Sequence, residues 1–155
     1  MQTNVKLIIY IVGSLLLMES LMMLLPAIVS AIYDEPEYLQ FIYSAVITSV
    51  VGGAMALFAR NHGRHISKQD SFIIVTMVWL FVSLFGVLPF ILTGTFDNFI
   101  DAFFEAMSGF TTTGSTMLRD CAHSLKGILF WRCLTQWIGG LGVITVVAGM
   151  MIIFQ

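Results

Sequence analysis

FFEAMSGFTTTGST, residues 103–116, joins a short apolar helix to a polar run of Thr, Gly and Ser. Counted from Asn98 to Ser108, that helix is about 16 Å long at ~1.5 Å per residue, roughly half of a ~30 Å hydrocarbon core. It can enter a bilayer but not cross it. Lipid accepts non-helical backbone only where the chain is buried in protein or lines a watery cavity, because an unpaired N–H or C=O in hydrocarbon costs several kcal/mol. The polar loop at 111–116 is therefore expected to line something wet, where displayed carbonyl oxygens would suit a hard cation. Within the short helix, Asp97, Asp101 and Glu105 recur every four residues, and Phe99, Ile100, Phe103, Phe104 and Met107 supply the apolar surface. Asp97 is the expected N-cap, after the turn Thr93-Gly94-Thr95-Phe96. The competing reading of this segment is an amphipathic helix lying on the outer surface.

What surrounds this stretch places it in a membrane. Of 155 residues, 58% are hydrophobic and 10% charged, with a mean hydropathy of +0.93, far from a soluble domain of this length. A net charge of −2 with no dense basic run argues against nucleic acid as a partner. Cys121 and Cys133 have neither metal spacing nor a disulfide framework, and they read as isolated thiols. No Ser/His/Asp, Cys/His or metal constellation falls at membrane depth, so an enzyme is not expected; His123 and Ser124 are only neighbours in sequence.

Upstream of the half-helix, residues 71–92 read as a span with Pro89 in its last turns and Asp70 or Ser71 as its N-cap. Before it, the loop from Arg60 to Lys68 holds three of the seven Lys and Arg residues and is expected in the cytoplasm; His62 and His65 are solvated there. Residues 39–59 form another span, in which Gly52-Gly53 is a close-packing site. The acidic turn Asp34-Glu35-Pro36-Glu37, flanked by Tyr33 and Tyr38, falls outside. Residues 5–33 make the first span, too long for a signal-peptide core and without a small-x-small site, so it is expected to remain as an anchor. Pro26 would kink or end it. Glu19, at membrane depth, is either a proton or cation ligand or, more ordinarily, a carboxyl hydrogen-bonded to a neighbouring helix. Downstream, a loop at 118–125 leads to a last span at 127–154 that carries Arg132, Gln136 and Gly139-Gly140-x-Gly142. Arg132 can snorkel to the interface or reach a pore-facing carboxylate, and the glycines are expected to serve packing.

The expected fold class is thus an all-α integral membrane protein: two N-terminal transmembrane helices, then a helix, pore half-helix, filter loop and helix of potassium-channel type. The strings FFEAMSGFTTTGST and RCLTQWIGGLGVI resemble the TrkH/TrkG/KtrB family of bacterial potassium transporters over residues 71–155. The preceding helix pair is similar to the extra pair of the TrkH branch. The resemblance implies a division into 1–66, the helix pair and basic loop, and 67–155, one pore repeat. It also implies that the carbonyls of Thr112, Thr113, Gly114 and Ser115 replace the hydration shell of a transported potassium ion, with no organic cofactor. A half-helix would aim its negative end at that ion, and Gly114 would take up backbone angles the threonines cannot. Further implications are a multi-pass location in the cell inner membrane, contact with lipid, and a cytoplasmic nucleotide-binding regulatory subunit. Such transporters carry four repeats in one chain. One is present here, so this chain resembles an N-terminal portion or a short relative, completed by further repeats or by other copies. The alternative function is a non-conducting membrane anchor or assembly subunit.

Overall fold

A computed structural model describes residues 4–61, 68–118 and 124–154. All regular structure among them is helical: α1 Val5–Met22, α2 Leu24–Ile32, α3 Tyr38–Phe58, α4 Lys68–Gly86, α5 Leu88–Leu92, α6 Phe99–Phe110 and α7 Lys126–Phe154. Four stretches among the described residues are long and apolar enough to cross a membrane, namely Val5–Ile32, Tyr38–Phe58, Ser71–Leu92 and Lys126–Thr145. The expected all-α membrane fold is what the chain adopts.

Two of these spans are broken, each at a proline. Pro26 has no N–H to give the carbonyl of Met22, and α1 passes into α2 through Met23. Pro89 likewise cannot bond to the carbonyl of Phe85, and the chain breaks at Val87 between α4 and α5. The carbonyl of Gly86 at this break accepts a 3.1 Å hydrogen bond from Nε1 of the fully buried Trp131 on α7. The helix break is thereby tied to the last span.

Helix packing follows the small residues. A Cβ on Gly13 would stand 2.8 Å from the backbone nitrogen of Ala56 and the carbonyl of Gly52, so α1 and α3 touch backbone to backbone. In lipid, where no hydrophobic force drives helices together, such close approach supplies the association through van der Waals contact. Phe41, Phe90, Phe110 and Trp131 fill the centre between the N-terminal pair and the later helices. Phe110 and Trp131 meet edge to face at 6.3 Å.

Two cap assignments differ from expectation. The α4 helix already includes Lys68, so Asp70 and Ser71 lie inside it rather than capping it. At α6 the cap is Asn98 and not Asp97: the Asn98 side chain accepts from the Ile100 N–H at 2.7 Å, which the extended backbone of Asn98 permits. Cap choice between adjacent Asp and Asn depends on which residue leaves the helical region, and composition does not decide that.

Candidate functional site

The α6 helix has 12 residues, about 18 Å at ~1.5 Å per residue, and stops at Phe110. The loop then turns its N–H groups back onto the helix end. Thr111 N–H bonds to the Met107 carbonyl at 2.9 Å, Thr112 N–H to Gly109 at 2.9 Å, and Thr113 and Gly114 N–H to Ser108 at 3.0 and 3.3 Å. These bonds satisfy carbonyls that a helix C-terminus otherwise leaves open. With the donors turned in, the acceptors of the same peptides are free to face away. No donor among the described residues reaches the carbonyl of Thr112 or Thr113, and the whole run from Thr111 to Met117 is exposed.

Left-handed backbone makes this turn. Gly114 has φ +79°, as a glycine at this place permits, but Thr112 also has φ +58°. The expectation that the threonines avoid such angles is therefore corrected. Thr112 sits one residue past the helix cap, where a left-handed residue lets its N–H reach back to the last turn, and the bond to Gly109 offsets the strain.

Three side chains behind the loop hold its far end. Glu105 on α6 is only 1% exposed, and its carboxylate accepts from Thr116 Oγ1 at 3.1 Å and from Met117 N–H at 2.8 Å. It also accepts from Nε of Arg132, the guanidinium of α7. The Nη2 of Arg132 donates to the Gly114 carbonyl at 3.2 Å, and Ser108 Oγ donates to the Ser115 carbonyl at 2.7 Å. Of the residues expected in the filter, Thr112 and Thr113 thus keep free carbonyls, while those of Gly114 and Ser115 each take one side-chain donor and retain a second lone pair. Of the two roles expected for Arg132, pairing with a carboxylate is the one found. In the sequence Glu105 is only one of three acids spaced four residues apart. Its depth could have been read from the apolar residues on both sides, but its three donors come from elsewhere in the chain.

The glycines of α7 bring the site together. A Cβ on Gly139 would collide with the carbonyl of Phe110, and one on Gly142 would lie 3.1 Å from the Trp79 ring. Across the same contact a Cβ on Gly109 would collide with Thr135 Oγ1. The half-helix end therefore rests directly on α7 backbone.

Glu19 is also buried, at 4% exposure, but neither carboxylate oxygen has a hydrogen-bond partner among the described residues. The neighbouring-helix hydrogen bond expected for it is not found. It borders a cavity of about 470 Å³ shared with Val78, Trp79, Phe110 and Ile138. The basic loop residues His62, Arg64 and His65, and Arg119, Asp120, Cys121 and His123 of the loop before α7, lie outside the described residues.

A helix, half-helix, polar loop and helix in series, behind a further pair of transmembrane helices, define an all-α multi-pass membrane protein with a repeat of potassium-channel type. The chain belongs to the TrkH family, whose model, described as a cation transport protein, matches residues 38–154. It is 33% identical over 149 residues to the Trk system potassium uptake protein TrkH of Halomonas elongata, covering 96% of this chain and 31% of that protein. It is 32% identical over 150 residues to TrkG of Escherichia coli K12, with 96% and 31% covered. The crystal structure of the potassium transporter TrkH from Vibrio parahaemolyticus superposes with a TM-score of 0.90 at 34% identity, over 96% of this chain and 32% of that one. The chain spans about a third of the length of the curated relatives it matches.

Proposed function

We propose that residues 67–155 form one pore repeat of a potassium-uptake protein of the cell inner membrane, with residues 1–66 as an accompanying helix pair. In this reading Thr112, Thr113, Gly114 and Ser115 are ion-binding, and potassium is the transported ion rather than a resident cofactor. The observation that carries it is the loop in which N–H groups turn back onto the half-helix while the carbonyls of Thr112 and Thr113 stay free and exposed. Free carbonyls are costly beside lipid and useful beside a dehydrating cation, and this difference favours a conducting role over a packing one. That the relatives are named as potassium uptake proteins supports the choice of ion.

One such loop offers oxygens from one side only, whereas replacing a hydration shell needs them all round. Three further loops, from more repeats or more copies, complete the ring. The protein works as a transporter and not as an enzyme. A cytoplasmic nucleotide-binding regulatory subunit is proposed as a partner of the assembled protein, with only a weak contact from this part of the chain. Expression in cells that lack potassium uptake tests the reading: growth at limiting potassium is expected with the complete assembly, and loss of that growth with Thr113→Pro in correctly inserted protein. Equal growth for both would leave a non-conducting anchor as the function.

A further inference from the structure

The last helix begins immediately after the outer loop, and its first N–H groups have no partner within the helix. They are bonded by a residue from the opposite end of the chain. Glu35, in the outer turn between α2 and α3, accepts from the backbone N–H of Lys126 at 2.5 Å through one oxygen and from that of Gly127 at 3.1 Å through the other. Ser30 Oγ, on α2, donates to the Gly127-bonded oxygen at 3.0 Å and so orients the carboxylate. The joint is tight: a Cβ on Gly127 would collide with Ser30 Oγ and stand 2.9 Å from the Phe41 ring and 3.2 Å from the carbonyl of Pro26. An anionic cap at this place also complements the positive end of the α7 dipole.

The geometry points to Glu35 as a positioning residue of the pore, through which the N-terminal helix pair sets the outer end of α7 and hence the guanidinium that holds the filter loop. Arg132 follows Gly127 by five residues, about 8 Å along the helix at ~1.5 Å per residue. Its guanidinium bonds both to Glu105 and to the Gly114 carbonyl. A shift or rotation of the start of α7 therefore reaches the loop within two turns. This gives the accompanying pair a task beyond membrane anchoring: it supplies acceptors for the first two N–H groups of the pore-lining helix.

This inference rests on the pore reading, and its test is built to fail separately. Cation uptake is measured in proteoliposomes that hold the complete transporter, as initial rate against external potassium. Glu35→Ala is expected to raise the half-saturating concentration about threefold to tenfold, with a smaller change in maximal rate. Glu35→Gln, which keeps one acceptor oxygen, is expected to fall between it and the parent protein. Gly127→Ala should resemble Glu35→Ala, because the added methyl opens the same joint. Asp34→Asn, which removes a neighbouring charge outside the cap, should stay within twofold of the parent. Equal shifts for Asp34→Asn and Glu35→Ala would overturn the inference in favour of simple attraction by loop charge. A Glu35→Ala protein that inserts in lower amount but keeps its half-saturation would overturn it in favour of a purely structural role. Absence of saturable uptake in the parent protein would sink the pore reading itself.

Discussion

Glu105 and Glu19 are both carboxyls sealed inside a membrane protein, and their surroundings differ in kind. Around Glu105 a guanidinium, a hydroxyl and a backbone N–H converge, and the acid ties the half-helix, the loop and α7 into one piece. Around Glu19 the walls are apolar, and no donor reaches it among the described residues. A carboxyl at membrane depth is costly in either place. The first region offsets that cost with charge-assisted bonds that set the geometry of exposed carbonyls, whereas the second leaves it standing beside a cavity. Burial of an acid therefore says little about its role until its donors are known.

The comparison breaks most visibly at Glu105. Glu105→Ala leaves the Arg132 guanidinium without its carboxylate, and a loss of about 3–5 kcal/mol of stability is expected. Cation uptake should disappear with it. Unfolding in mixed micelles and flux in proteoliposomes measure the two effects. A variant within ~1 kcal/mol of the parent would show that the polar region is no more demanding than the apolar one.

Next in size is Gly139→Ala, which drives a methyl into the Phe110 carbonyl and separates the half-helix from α7. Overpacking of this kind costs about 1–3 kcal/mol. Reduced yield of correctly inserted protein, followed by fluorescence-detected size exclusion, is the expected result. Gly140→Ala meets nothing closer than 4.0 Å and is the internal control.

Gly114→Ser is a smaller change in energy and a sharper one in function. A side chain at φ +79° costs about 1–2 kcal/mol, while the helices and the Glu105 network stay in place. Potassium preference over sodium should fall more than protein yield. Unchanged selectivity in competitive uptake would remove Gly114 from the ion path.

Glu19→Met sharpens the comparison from the other side and carries the smallest effect. Replacing an unpartnered buried acid by an apolar side chain of similar length is expected to stabilise the protein by about 1 kcal/mol. A loss of more than that in the complete protein would mean that Glu19 has acquired a donor there, and the two acids would then be alike.

Much of this arrangement was readable from residues alone. Runs of apolar residues long enough to cross a bilayer must be helical there, since only helices satisfy every backbone group within one segment. That constraint makes the spans legible, and the shortness of the segment before Thr111 marks the half-helix. Pro26 announces a break because it has no N–H to give the helix, whereas Pro89 reads from sequence only as lying in the last turns of its span. The cap at 97–98 departs from expectation because neighbouring polar residues compete for one position, and local backbone angles settle the contest. The threonine at φ +58° departs from expectation for a related reason, since the helix end that stabilises it lies outside its own chemistry.

Sequence by itself determined the membrane class, the helix order, the half-helix and the polar loop, because these follow from local hydropathy, length and backbone saturation within one stretch of chain. Only the tertiary structure decided which acid has partners, which carbonyls remain free, and that Glu35 caps a helix that starts 91 residues later. Those outcomes depend on atoms brought within about 3 Å from distant segments. A hydrogen bond is blind to separation along the chain, and no periodicity in the sequence records which segments will meet.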